Sequence, residues 1–145
     1  MLDRLGKPER IAGGGAAAAL ISTLLPWYHF DEGGSRITAN AFGTGFLGDV
    51  LFLCAGAMIV VLLIRAEVIL MRRQLDDRRV LVGLGVVALA AVVLQLLIGV
   101  NGSGAFHSAT IGLVVALFAS GAMSLGAFMS DHTEVGGHSM AARRR

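Results

Sequence analysis

The chain is poor in the residues on which secreted and catalytic domains rely. It has one cysteine, two prolines, one tryptophan and one tyrosine, and only 15% of its 145 residues are charged. The lone Cys54 excludes an intrachain disulfide, a CxxC pair and a thiolate metal site. The low charge excludes an ordinary soluble domain, in which about 25% of residues are charged. Both prolines, Pro8 and Pro26, lie near the start, leaving the later apolar runs without a helix breaker of that kind. Motifs of hydrolytic and phosphate chemistry are missing too. There is no Gly-x-Ser-x-Gly elbow, no His-Glu-x-x-His and no phosphate-binding glycine loop.

What is present is apolar. Hydrophobic residues make up 55% of the chain and its mean hydropathy is +0.74. They gather into four long runs separated by charge, each near the roughly 20 residues that an apolar helix needs to cross a bilayer. The pattern predicts an all-α integral membrane protein, a four-transmembrane-helix bundle with spans at about 11–30, 46–65, 80–100 and 105–129. Residues 1–130 form one domain in this reading, and 131–145 a short polar cytoplasmic tail. A sequence pI near 9.3 invites nucleic acid as a partner. The net charge is only +2, however, and the basic residues flank the spans, where anionic headgroups are the natural counterpart. The expected partners are therefore the lipid bilayer and another membrane protein or a second copy, and not nucleic acid.

Charge asymmetry orients the bundle. Three Lys or Arg residues precede span one, five lie between Arg65 and Arg79, three end the tail, and the first loop has only Arg36. Short loops rich in Lys and Arg stay inside, so both termini are expected in the cytoplasm, with the protein multi-pass in a bacterial plasma membrane. The loop between spans one and two is then external. Its Gly33-Gly34 pair and the Arg36-Ile37-Thr38 alternation are compatible with a small hairpin or an ordered cap. Trp27 and Tyr28 close span one as interfacial anchors. Arg65 is expected to snorkel to the opposite interface, Asp76 or Asp77 to cap span three, and Asn101-Gly102-Ser103-Gly104 to turn into span four.

Polar side chains near spans are the places to look for chemistry. His29, Asp31, Glu32, Asp49, Gln95, Asn101 and His107 all fall on the external half and define a candidate polar cluster beneath the loop. Three of them also have a structural explanation: Asp49 capping its helix, Gln95 bonding across helices, His107 lying at the interface. Zinc or haem ligation would draw on His29 and His107, but these two histidines belong to different spans and do not form a helical i,i+3 or i,i+4 pair with each other. No metal, cofactor or catalytic residue is assigned, and enzymatic activity is not expected. Ser108, Gly112, Ala116, Ser120 and Ser124 recur every four residues, giving span four a small face for helix packing, either within one bundle or against a partner.

Leu25-Pro26-Trp27-Tyr28 at the end of span one, followed by a polar loop closing in Asn40-Ala41-Phe42, resembles a family of small four-helix membrane proteins common in actinobacteria. Members carry an LPWY or LPWF motif, a variable external loop and an Ala-Phe pair just before span two. They often place an aromatic ahead of that pair, where this chain has Ile37-Thr38-Ala39. The resemblance implies the four-span fold, the topology and an actinobacterial-type plasma membrane; it implies no activity. Shortness and ample packing surface favour an accessory, scaffold or interaction subunit. The alternatives are an oligomeric transporter or channel, or an envelope sensor that uses the polar cluster.

Overall fold

The computed structural model describes residues 6–32, 35–66, 77–99 and 109–142. Helix α1 spans Lys7–Leu24, strands β1 and β2 span Pro26–Glu32 and Ser35–Asn40, and a 3-10 turn covers Ala41–Gly43. Helices α2 (Phe46–Arg65), α3 (Asp77–Ile98) and α4 (Ile111–Ala142) follow. The first loop is thus a β-hairpin in an otherwise helical chain.

Local chemistry explains where α1 begins and ends. Pro8 occupies its first turn, where a missing N–H costs nothing, and the Glu9 carboxylate accepts the Gly6 N–H at 2.9 Å. At the other end, Pro26 disfavours helical backbone at Leu25, which is extended at φ −75°, ψ 156°. Span one was expected to run to Phe30; the helix stops at Leu24 and the chain turns into a strand. With Lys7, Glu9 and Arg10 in its first turn, α1 is also less apolar than the other helices.

Among the described residues three helices are long and apolar enough to cross a membrane: Phe46–Arg65, Arg79–Ile98 and Ile111–Ser130, with mean hydropathies of 2.6, 2.7 and 2.0. Twenty residues of helix extend about 30 Å, the thickness of a hydrocarbon core. The α2 bounds coincide with those expected for span two. Helix α3 ends at Ile98 because Gly99 adopts φ +68°, a left-handed stop that glycine takes without strain. Helix α4 starts at Ile111, later than the expected 105, because Ala109 and Thr110 are drawn into contact with β1. Its backbone remains helical through Ala142, so the segment expected as an irregular tail continues a helix already nucleated by packing. Asp76 and the Asn101–Gly104 turn lie outside the described residues.

The helices pack in a ring, α1 on α2 and α4, and α3 on α2 and α4. Small residues set the spacing. A Cβ at Gly15 would sit 2.7 Å from the Met123 amide nitrogen, and one at Gly126 would collide with the backbone of Ala12 and Pro8. Helices α1 and α4 therefore touch backbone to backbone, with Ala12, Ala16, Ala19 and Ala119 buried along the seam. Between α3 and α4 the close approach is Gly85 on Ser124, whose hydroxyl donates to the Gly85 carbonyl at 2.8 Å. Away from the hairpin, the Arg65 guanidinium meets the Glu9 carboxylate at 2.6 Å. The arginine expected to snorkel joins the last turn of α2 to the first turn of α1, each charge favourably placed on its helix dipole.

Candidate functional site

The hairpin end of the bundle holds the densest set of specific contacts, and Leu25-Pro26-Trp27-Tyr28 supplies them. Once Pro26 has stopped α1, its last carbonyls lack helical partners. The Trp27 indole Nε1–H donates to the Ser22 carbonyl at 2.7 Å, folding the chain back over the helix end. One residue on, the Tyr28 hydroxyl donates to the Gln95 carbonyl near the end of α3 at 2.9 Å. Both rings are fully buried. They were expected as anchors facing the bilayer, and they turn inward because each carries one polar atom that finds a helix-end carbonyl inside the bundle.

Helix α4 is tied to the same strand. The Thr110 N–H donates to the Trp27 carbonyl at 2.8 Å, its hydroxyl donates to the Pro26 carbonyl, and Ala109 forms an antiparallel bridge with Tyr28. Gly112 makes this possible, since a Cβ there would strike the Pro26 carbonyl and the Trp27 ring. One strand thus bonds to the ends of α1 and α3 and the start of α4.

The rest of the cap is built from the hairpin and its exit. The strands are antiparallel, with His29 opposite Thr38 and Phe30 opposite Ile37, and a register irregularity falls between Pro26 and Tyr28. At the exit the Asn40 side chain accepts the Gly43 N–H at 3.1 Å, nucleating the 3-10 turn. Ala41 is fully buried against Gly48 of α2, where any Cβ would collide with the Ala41 carbonyl. Phe42 meets Phe52 edge to face, ring centroids 5.4 Å apart. A shallow depression of about 390 Å³ lies where the cap meets α1, bordered by Leu24, Pro26, Thr38 and Asn40.

Of the expected polar cluster, the three residues with described side chains have separate surroundings. Gln95 is buried, and its side chain donates to the Gly99 carbonyl at 3.3 Å. Asp49 is exposed on the first turn of α2, where a carboxylate favours the helix N-terminus. His29 is half-buried on β1. Among the described residues no hydrogen bond or ion pair joins these three. Asp31 and Glu32 end β1, with side chains outside the described set; Asn101, His107 and Ser108 lie outside the described residues altogether. On the small-residue face, Gly112 abuts β1, Ala116 is buried, and Ser120 donates to the Leu117 carbonyl at 3.1 Å. Ser124 bonds to α3, so the described part of that face is occupied within the chain.

Among the described residues every buried side-chain nitrogen and oxygen has a partner, and no three His, Cys, Asp or Glu gather as metal ligands. Thr110 and the Glu9–Arg65 pair were missed from sequence. A threonine immediately before an apolar run is a helix-start signature and marked the true beginning of α4. No family model, curated protein or solved structure matches this chain.

Proposed function

We propose that this chain is a four-span protein of a bacterial plasma membrane, with both termini in the cytoplasm, and that it serves as an accessory or scaffold subunit displaying its hairpin to a partner membrane protein. The observation carrying this reading is the cap itself: β1 is bonded to α1, α3 and α4 through Trp27, Tyr28 and Thr110, so the bundle anchors the base of the hairpin. Buried Ser22, Thr23, Gln95 and Ser120 spend their polar groups on bonds that maintain the fold. Their use is structural, and the surface left for recognition is the hairpin, where Ile37 and Thr38 are exposed.

Helix α1 supplies the fourth span in this reading. Its apolar part, Ile11–Leu24, covers only about 21 Å, short of a roughly 30 Å core. The buried Trp27 and Tyr28 fill the remaining depth, which gives the LPWY motif a physical purpose. The excess of Lys and Arg at the end bearing Glu9 and Arg65 supports placing that end inside and the hairpin outside.

Co-purification tests the function. A tagged copy extracted from its native membranes in mild detergent is expected to carry a stoichiometric membrane partner, identified by mass spectrometry, and to lose it on Ile37→Asp. Recovery of a pure homo-oligomer, indifferent to Ile37→Asp, contradicts the accessory reading and favours transport or sensing, with Asp49 and Gln95 the next positions to change.

A further inference from the structure

We infer that Phe42, Phe46 and Phe52 form a membrane-seating patch whose partner is the boundary between headgroups and acyl chains in the outer leaflet. This rests on the membrane reading and adds what sets the depth of the cap. With Trp27 and Tyr28 inside the bundle, the chain's only tryptophan and tyrosine are withdrawn from the surface. Phenylalanines take that place at the hairpin end of α2: Phe42 is 44% exposed, Phe46 76% and Phe52 42%.

Their level is fixed by α2. The helix matches a hydrocarbon core in length, and Arg65 in its last turn marks the opposite boundary. Phe46 is its first residue and Phe52 lies less than two turns in, so both rings belong to the outermost part of the span. Phe42 reaches the same surface from the 3-10 turn, held there by its edge-to-face contact with Phe52 and by the seat of Ala41 on Gly48.

Asp49 decides between lipid and protein as the cover. Residues 46, 49 and 52 follow at i,i+3 spacing, so the exposed carboxylate stands on the helix surface between two phenylalanines. A second copy packed on this strip would bury a carboxylate that has no partner among the described residues of this chain, a costly arrangement. A bilayer boundary accommodates both, with the rings dipping toward the acyl chains and the carboxylate kept among headgroups and water.

Site-directed nitroxides test the assignment. In a Cys54→Ala background, single cysteines replace Phe42, Phe46 and the exposed Ala57, and the labelled protein is reconstituted in vesicles of phosphatidylethanolamine and phosphatidylglycerol. Ala57, about 16 Å along the helix from Phe46, should relax strongly with oxygen and weakly with a water-soluble nickel chelate. Position 46 should lie at shallow membrane depth, and position 42 at the headgroup boundary. The aromatic-preserving variant Phe42→Trp should be quenched more by lipids brominated near the headgroup than by lipids brominated at the chain end. Nickel access at 42 and 46 equal to that at Thr38→Cys, with Ala57 still in lipid, overturns the patch and leaves the membrane reading standing. Positions 42 and 46 closed to both relaxants show a protein cover and also overturn it. Nickel access at Ala57 overturns the membrane reading itself.

Discussion

Tyr28 shows how one polar atom decides where a residue belongs. An aromatic near the end of an apolar run reads as an interfacial anchor, yet its hydroxyl finds the Gln95 carbonyl and draws the ring inside. Tyr28→Phe removes that donor without orphaning the acceptor, which still takes the Gly99 N–H at 2.9 Å. The expected loss is about 1 kcal/mol, read as a lowered unfolding midpoint in detergent. Trp27→Ala removes a buried ring as well as a donor, and about 3 to 5 kcal/mol is expected in the same assay. At the opposite end, Glu9 and Arg65 are mostly buried as a pair. A double-mutant cycle of Glu9→Gln and Arg65→Gln should give a coupling on the order of 1 kcal/mol, reduced by salt. Absence of coupling would return Arg65 to an independent interfacial role.

The elements differ in how far their sequences disclose them. Helix α2 was legible in its bounds, because the apolar run from Val50 to Ile64, set between Asp49 and Arg65, leaves little choice. The end of α1 was obscured: Ile21 to Phe30 is apolar apart from a few polar residues, and that continuity outweighed the local stop at Pro26. The start of α4 was placed early for the same reason, since Ala105 and Phe106 extend its apolar run. The Gly33-Gly34 pair did point to the hairpin, but its bonding to three helices is long-range and leaves no periodic trace. The candidate cluster was read from position alone. Gln95 lies at the cap, but Asp49 is on the surface because a helix N-terminus and water suit a carboxylate better than the bundle interior. Between elements, glycine contacts carry the sharpest prediction. Gly126→Leu places a side chain into the backbone of α1 and should cost at least about 1 to 3 kcal/mol. Gly121→Leu meets open space and should leave the unfolding midpoint near that of the parent. Equal effects at the two positions would contradict the backbone-to-backbone seam.

At the scale of the whole molecule, an end stitched by Glu9 and Arg65 stands opposite a capped end stitched by Trp27, Tyr28 and Thr110. In the proposed function the hairpin meets its partner on the far side of the membrane from the basic end. Orientation is therefore the claim on which the rest depends. The most direct measurement is maleimide labelling in intact cells, using Cys54→Ala with a single cysteine at exposed Thr38 or exposed Lys7. An impermeant maleimide is expected to modify position 38 in intact cells and position 7 only after permeabilisation. Labelling at position 7 with protection at position 38 would contradict this orientation.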